Sequence, residues 1–454
     1  MEFNVRKDIK IRSVSPISQQ MREYNYDDLS KTVGYFEDLI NSQPGTDKNI
    51  GVVFGLLGFL QVAFMLALFK TGRNYNLHYY NADDFPDHAK DYSSHVFLLG
   101  PWFGSMENFI TTGEEHKEFN EKYTNVFSMD IENRALSHDK PSDLTVTFSK
   151  DQQVFVSLQD PTGRFKVPHL AYNTGYIEAS SIKAAMDNYY HEDDNVVLFR
   201  ACRHAGVATL SVYPAFFKCA KITLCKFDEE YKEEYHNATH IHAGYELIRD
   251  KWPLPKKLRM LTTGGYPFNS DCINYVTGIS DIENIIDCYG TLTFPPPMAI
   301  RRLSKNDKGL VPFKWVNEYT VPEFNKDEDG EKFFWKSATP NGFFSEFNHA
   351  RQHVVHHYPD YDIIRHYDNV ESIDDRTFYF YGSSVNFIRI HHSRWTESDF
   401  KTYFSEKTGI TEFEITFVKK DGMNFPVLSV YLMYKEIVID FAKETDLEID
   451  FNFV

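Results

Sequence analysis

Ser157-Leu-Gln-Asp-Pro-Thr-Gly-Arg-Phe-Lys-Val-Pro-His169 is a polar run between two apolar segments. We interpret the flanks, Val154-Phe-Val156 before the run and Val167 to Leu170 after it, as two strands joined by a short loop. Within that loop, Pro161-Thr162-Gly163 supplies a turn, a hydroxyl and a glycine that lets backbone N–H groups approach an anion. Lys166 adds a cation, so the run favours a polyphosphate-binding loop, with an ordinary strand-connecting turn as the alternative.

Further motifs follow this loop along the chain. They are Arg203-His-Ala-Gly206, Thr262-Thr-Gly-Gly-Tyr-Pro267, Asp287-Cys-Tyr-Gly-Thr-Leu-Thr293, Arg365-His-Tyr-Asp368 and Phe380-Tyr-Gly382. The series resembles the adenylate-forming superfamily, which comprises acyl- and aryl-CoA synthetases, firefly luciferase and the adenylation domains of peptide synthetases. In that family the phosphate loop reads roughly Ser-Gly-Thr-Thr-Gly-x-Pro-Lys-Gly, and Gly-Gly-Ala-Pro, Tyr-Gly-x-Thr-Glu, Thr-Gly-Asp and Gly-Arg follow it. The resemblance extends from about Ile50 to Phe404.

The resemblance implies ATP-dependent activation of a small carboxylic acid as an acyl-adenylate, with a thiol or amine as the later acceptor. In this AMP-forming reaction the carboxylate attacks the α-phosphorus of ATP and pyrophosphate leaves. The catalytic residues implied are Lys166 and Thr162, and the residues implied to bind ATP or AMP are Gly163, Gly264, Gly265, Tyr289, Gly290 and Asp368. His204 matches a residue that lines the acyl pocket of many members.

The assigned roles differ along the chain, and each has an ordinary structural alternative. Lys166 would steady phosphate, Tyr289 and the preceding glycine pair would hold adenine, and Asp368 would hold the ribose hydroxyls. The alternatives are a tight turn at Gly264-Gly265, an exposed loop acid at Asp368 and a packed core histidine at His204.

The sequence departs from the family at several charged positions. Asp160 lies beside the expected triphosphate, Thr293 replaces the metal-binding Glu, and Ser383 replaces the Arg of the Gly-Arg motif. A hydroxyl cannot replace a carboxylate on Mg²⁺, so no Mg²⁺ ligand is assigned. No Ser-Gly-Lys motif with the family's C-terminal lysine is found. A second function therefore stays open: a catalytically inactive relative that acts as a nucleotide- or acyl-binding or protein-assembly module.

Composition narrows the class of protein. The chain has 454 residues and a formal net charge of −17, with no Lys- or Arg-rich block. This argues against binding to nucleic acid or to an anionic membrane surface. The five cysteines form no CxxC pair, and no apolar secretory segment follows the charged first residues. We therefore expect reduced thiols and a cytoplasmic protein.

The segment from Ile50 to Phe69 has Gln61 as its only polar side chain. Its length would suit a membrane span. The interpretation we favour is a buried strand over 50–57 followed by a buried helix from Gly58 to Lys70, because glycines interrupt its first half and Thr71-Gly72 ends it.

Strand–helix alternation between residues 50 and 225 predicts an α/β domain with largely parallel sheets. We expect a large N-terminal domain over 1–378, in which helices flank the sheets, and a small α+β C-terminal domain over 379–454. Other expectations concern single elements. They are a helical segment in residues 1–48, a hairpin of Leu144–Phe148 with Val154–Ser157, a strand that ends at Pro295-Pro-Pro297, and short strands with one helix, Ser398 to Glu406, after Tyr379.

Two histidine clusters have metal-like spacing. His236, His240 and His242 form one, in a segment assigned to helix or loop, and His353, His356 and His357 form the other, along one side of a predicted helix. Neither cluster has a nearby Cys or a HExxH arrangement, so no metal site is assigned.

Overall fold

The structure is a computed structural model, and it describes much of the chain. The described ranges are 1–15, 18, 20–43, 50–53, 58–79, 95–99, 123–125, 129–149, 152–158, 169–199, 211–225, 235–242, 253–264, 268, 270–279, 282, 284–291, 294–307, 311–318, 320–327, 330–337, 344–345, 353–357, 362–366, 368–383, 386, 388–390, 393–420, 423–445, 447 and 449–454.

Helices and strands alternate along these ranges. The helices are α1 (Tyr26–Asn41), α2 (Phe59–Thr71), α3 (Met129–Leu136), α4 (Gly175–Asn188), α5 (Tyr213–Lys218), α6 (Ser270–Ile279), α7 (Glu397–Thr408) and α8 (Lys435–Glu444). The strands in the first half are β1 (Glu2–Asn4), β2 (Lys10–Val14), β3 (Met21–Asn25), β4 (Ile50–Val53), β5 (Tyr75–Tyr79), β6 (His95–Leu98), β7 (Tyr123–Asn125), β8 (Thr145–Thr147), β9 (Gln153–Leu158), β10 (His169–Thr174), β11 (Asn195–Phe199) and β12 (Lys221–Cys225). The later strands are β13 (His240–His242), β14 (Met260–Gly264), β15 (Asn284–Thr291), β16 (Phe294–Leu303), β17 (Phe313–Trp315), β18 (Thr320–Asp327), β19 (Gly330–Ser337), β20 (Phe344–Ser345), β21 (His353–His357), β22 (Asp362–His366), β23 (Asp368–Ser372), β24 (Thr377–Ser383), β25 (Ile388–Ile390), β26 (Ser393–Trp395), β27 (Phe413–Lys420), β28 (Met423–Val430) and β29 (Asp450–Phe453).

Two large sheets carry the fold. The first has the strand order β20-β10-β9-β5-β4-β6-β7, and the second has the order β23-β24-β17-β16-β15-β14-β13-β11-β12-β2-β3. In the second sheet the neighbouring strands from β15 to β2 are parallel, and the strands on either side of them pair antiparallel. In the first sheet the strands from β9 to β7 are parallel. The predicted α/β class, with largely parallel sheets and flanking helices, is confirmed.

Helix α2 lies in the core that joins the two sheets. All of its side chains from Phe59 to Phe69 are buried, and all of them except Gln61 lie in one apolar cluster with Ile50 of the first sheet and Ile222 of the second. A helix that is apolar on every side can be accommodated only inside a protein or a membrane. It ends where the sequence predicts, because Gly72 takes the left-handed conformation, with φ 65°, that glycine adopts most easily.

The strand–helix interpretation of the segment from Ile50 to Phe69 is confirmed. β4 covers its start and α2 its second half, and the predicted strand residues 54–57 lie outside the described part. In the ranges that the structure describes, we find no helix whose length and apolar character would let it cross a membrane.

Helix α1 shows why residues 26–41 fold locally. The Asn25 side chain accepts a hydrogen bond from the Asp28 backbone, and the Asp28 carboxylate accepts one from the Asn25 backbone, which forms a capping box. The prediction that residues 1–48 are one helical segment is nevertheless wrong. Three strands precede α1, because β2 finds its partner in β12, about 210 residues later, and local sequence carries no trace of such a pairing.

Two other strand predictions are wrong. The runs Leu144–Phe148 and Val154–Ser157 do not form a hairpin together: β8 pairs with β1, and β9 pairs with β10 and β5. Alternating apolar residues predict a strand but not its partner.

Pro295-Pro-Pro297 lies at the start of β16 rather than at the end of a strand. The ladder between β15 and β16 shifts register between Tyr289 and Thr291, and prolines are tolerated at such an irregularity because no ladder hydrogen bond is needed there.

The C-terminal residues form a small core of their own. Its buried side chains include Ile388, Trp395, Phe404, Leu428 and Phe441, and it is built from α7, α8 and the sheet β27-β28-β29. The expectation of one helix there is wrong, because α8 also forms. Its centre, Ile437-Val-Ile439, is β-branched and looks like a strand in isolation. The boundary placed between residues 378 and 379 stays a prediction; β24 lies in the large sheet, and the small core begins at Ile388.

Candidate nucleotide site

The carboxyl ends of β14 and β15 bring two predicted motifs together. These neighbouring strands are parallel, and Gly264 lies opposite Cys288. Gly264 ends β14, and Tyr289-Gly290 follows Cys288 directly. In open α/β sheets, ligands bind beyond the carboxyl ends of parallel strands, so this edge is the candidate site.

Tyr289 and Asp368, which belong to separate motifs, meet in the interior. The Tyr289 hydroxyl donates a hydrogen bond to Asp368 Oδ2 at 2.7 Å. Tyr289 is 7% exposed and Asp368 is 3% exposed. Asp368 is therefore not the exposed loop acid of the alternative interpretation.

Aromatic packing fixes the Tyr289 ring. Its centroid lies 5.9 Å from that of Phe313, 5.8 Å from that of Phe378 and 5.4 Å from that of Phe380. Such edge and tilted contacts favour one ring orientation. The hydroxyl of Tyr289 is thus held at the Asp368 carboxylate by ring contacts from two other strands of the same sheet, β17 and β24.

An irregular hairpin places Asp368. Asp368 opens β23 and lies opposite Ser383 in β24, and the register shifts between Asp368 and Val370. Gly382, next to Ser383, has a φ of 89°. Only glycine adopts this conformation at low cost. The position of Asp368 opposite Ser383 therefore depends on the absence of a side chain at Gly382.

Replacing Gly382 by alanine is expected to destabilise the protein by about 1–3 kcal/mol, because alanine is strained at positive φ. Urea unfolding measures this difference, and Gly278→Ala is the matched control, since a Cβ at Gly278 meets nothing within 4 Å. A Gly382→Ala variant as stable as the control would show that the irregular hairpin tolerates a side chain.

An ion pair lies directly beneath this edge. Asp287 and Arg301 are opposite each other in the antiparallel pair β15–β16. Arg301 Nε donates to Asp287 Oδ2 at 2.8 Å, and a second guanidinium nitrogen, Nη2, donates to the Phe268 carbonyl at 2.7 Å. Burial raises the pKa of Asp287, and the Arg301 guanidinium opposes that shift.

Sequence reasoning gave no role to either member of this pair. The available signal was an acid and a base inside two mainly apolar strands that follow one another in the chain. An unpaired charge is rarely buried, so this pattern can be read as a cross-strand ion pair once the hairpin register is known.

The other predicted site residues lie outside the described residues. They are Thr162, Gly163, Lys166, His204 and Gly265. The strands that flank the predicted phosphate loop are confirmed, because β9 and β10 pair antiparallel up to Leu158 and His169. β11, which precedes His204, runs parallel to β13 and ends on the same side of the sheet as β14.

Five of the six clustered histidines lie on strands, contrary to the predicted helix or loop, whereas His236 lies in a helical turn before β13. His240–His242 is β13 and His353–His357 is β21. The β-branched residues between the histidines favour strands. His240 Nε2 lies 2.8 Å from Thr262 Oγ1, and burial lowers the pKa of His240 and brings that of His242 to about 3. Over the described residues, no group of three His, Cys, Asp or Glu side chains could hold a metal ion.

Comparison with known proteins gives the fold. No family model matches the sequence, and no curated protein matches it. Among solved structures, an artificially fused adenylation–PCP protein from Klebsiella oxytoca (NpsA-ThdA) has a TM-score of 0.64 at 13% identity over 95% of this chain and 89% of its own. The anthranilate CoA ligase AuaEII, in complex with anthranoyl-AMP, has a TM-score of 0.61 at 10% identity over 95% and 89%.

A third similar structure is a fatty acyl CoA synthetase from Mycobacterium tuberculosis, with a TM-score of 0.58 at 12% identity over 98% of this chain and 91% of that one. Identities this low establish the fold alone. The chain therefore has the fold of adenylate-forming enzymes.

Proposed function

We propose that this chain belongs to the adenylate-forming superfamily, binds ATP and activates a small carboxylic acid as an acyl-adenylate. The observation that carries the proposal is the Tyr289–Asp368 contact at the carboxyl ends of the parallel strands. Residues of two distant motifs meet where a nucleoside would lie in this fold. A carboxylate held in that position can accept hydrogen bonds from ribose hydroxyls, and such charge-assisted bonds are the stronger ones.

In the proposed reaction, the substrate carboxylate oxygen forms a bond to the α-phosphorus of ATP. The bond from that phosphorus to the bridging oxygen breaks, and pyrophosphate leaves with its electron pair. Lys166 and Thr162 would steady the phosphates beside the Gly163 backbone, since catalysis of this class consists mainly of positioning and charge stabilisation. Gly264, Gly265 and Gly290 would bring backbone close to adenine.

The substrate and its acceptor are assigned only by class. His204 would face the acid, and a thiol or an amine would take up the acyl group. The similar structures include a CoA ligase and an adenylation–PCP protein, which supports the thiol. We assign no residue to Mg²⁺, because Thr293 stands where the family has its metal-binding Glu. The buried thiols of Cys219 and Cys288, which form no disulfide, support the proposed cytoplasmic setting.

Two measurements test this function. The first is the shift in melting temperature with ATP, AMP or GTP; a ligand at 100 times its Kd adds about 2.7 kcal/mol. The second is carboxylate-dependent pyrophosphate release over a panel of aliphatic and aromatic acids, with Lys166→Ala as the inactive comparison. An adenine-specific shift with acid-dependent release is the expected result, and the absence of any nucleotide shift would contradict the proposal.

A second candidate is a catalytically inactive relative that acts as a binding or assembly module. The observation that favours it is that the Asp368 carboxylate is buried and already accepts a hydrogen bond from Tyr289. Replacement of the family's Glu by Thr293 and of its Arg by Ser383 points the same way. A nucleotide shift without pyrophosphate release for any acid would favour this candidate.

A further inference from the structure

Gly264 and Phe268 stand on either side of the predicted adenine-binding residue Gly265 in the sequence, and each is held by a neighbouring strand. Gly264 is paired with Cys288 of β15. The Phe268 carbonyl accepts a hydrogen bond from Arg301 at 2.7 Å, and Phe268 itself is buried. Arg301 belongs to β16, so Phe268 is tied to a strand that is not its sequence neighbour.

The same guanidinium is linked to the Tyr289 ring through Phe313. It lies over the ring of Phe313, 4.9 Å from the centroid, and Phe313 in turn packs against the Tyr289 ring. Its Nε donates to Asp287. One planar group thus contacts a carboxylate, a backbone carbonyl and an aromatic face at once, in a rigid geometry that an ammonium on a flexible stem does not supply.

Stability is a poor explanation for this pair. Arg301 and Asp287 are almost fully buried, with side chains 2% and 3% exposed. Burying two charges costs roughly what their attraction returns, so an apolar pair of similar volume is often as stable. What an apolar pair cannot supply is the donor that fixes the Phe268 carbonyl.

We propose that Arg301 is a positioning residue of the nucleotide site, which sets Phe268 and the Tyr289 ring at the spacing that a purine needs. This inference rests on the proposed nucleotide binding. Asp287 orients Arg301 and does not itself face the ligand.

The test compares three variants. Asp287→Leu with Arg301→Met removes both charges and leaves no uncompensated ion. Arg301→Lys keeps the charge beside Asp287 but loses the planar fork. Arg302→Lys is the matched control, since Arg302 is the exposed neighbour in the same strand and donates to the Asn188 carbonyl.

The measured quantities are the Kd values for ATP and GTP. We expect the wild type and the Arg302→Lys control to prefer ATP. The double variant and Arg301→Lys are expected to bind ATP about tenfold more weakly and to lose most of the preference, although the double variant stays folded. Global destabilisation would not change the ratio of the two Kd values. A folded double variant with the wild-type ratio, or full rescue by lysine, would overturn the inference.

A measurement without ligand separates this inference from the proposed function. Hydrogen exchange of the peptide that contains Phe268 is expected to be faster in the double variant than in the wild type or the control. Unchanged exchange would overturn the positioning role. The wild type could instead bind neither nucleotide while the double variant shows faster exchange. That result would overturn the proposed function and leave Arg301 as an anchor of Phe268 alone.

Discussion

An Asp368→Asn variant is expected to bind ATP about ten- to a hundred-fold more weakly than the wild type. Asparagine keeps the shape of the side chain and can still accept the hydrogen bond from the Tyr289 hydroxyl, so the loss reports on the charge. Hydrogen bonds to charged groups contribute about 1.5–3 kcal/mol, and each 1.4 kcal/mol is tenfold in affinity. Isothermal titration with ATP and with AMP measures the difference.

Two comparisons isolate the effect of Asp368. Asp375→Asn removes a carboxylate from the exposed turn of the same hairpin, and it should leave the affinity unchanged. Tyr289→Phe removes the 2.7 Å hydrogen bond but keeps the ring in its aromatic cluster. If Asp368→Asn retains wild-type affinity for ATP, then Asp368 does not contact the nucleotide, and its carboxylate serves only to hold Tyr289.

Acidification from pH 7 to pH 4 is expected to lower the free energy of unfolding by about 3 kcal/mol through His242 alone. Burial lowers the pKa of His242 from its usual 6.5 to about 3 in the folded protein. Between these values the unfolded chain binds a proton that the folded chain does not. Stability is therefore complete above pH 6.5 and is lost as the pH falls towards 3, at about 1.36 kcal/mol per pH unit.

The His242→Gln variant tests this assignment, because glutamine cannot titrate. Its free energy of unfolding, measured by urea at several pH values, should fall less steeply with acid than that of the wild type. The exposed His236 provides the control, and His236→Gln should keep the wild-type slope. Other groups add to the total, since the pKa of His95 is also lowered, to about 4, and that of Asp194 lies below its usual range. Parallel curves for His242→Gln and wild type would contradict the prediction.

Apolar runs and single glycines in the sequence predicted those helices and strands whose formation depends mainly on neighbouring residues. β4 and α2 form in the segment from Ile50 to Phe69 as expected, and α2 ends at the glycine that was expected to end it. The apolar character of these segments and the conformational preference of Gly72 suffice for both, because neither depends on which distant element lies alongside.

The site could be predicted only in part. The order of the motifs indicated Tyr289 and Asp368 as site residues, and the structure brings the two into contact. Nothing in either motif shows that this contact is a buried hydrogen bond. Asp287 and Arg301 were missed because their relation depends on the register of β15 against β16, which a shift at Tyr289 alters. Long-range pairing of this kind leaves no periodic trace in the sequence.

The pairing of β2 with β12 has a consequence for synthesis on the ribosome. Lys10 cannot pair with Lys221 until β12 has been synthesised, so the sheet cannot form at that edge before then. Helix α2, which has no polar face, shares its buried cluster with residues of the same sheet. At roughly 5–20 residues per second, the roughly 150 residues from the end of α2 to the end of β12 take about 8–30 s, during which the cluster around α2 lacks the side chains of β12 in each nascent chain. Chains that stop before β12 would lack this part of the core permanently, and we expect them to leave apolar surface exposed.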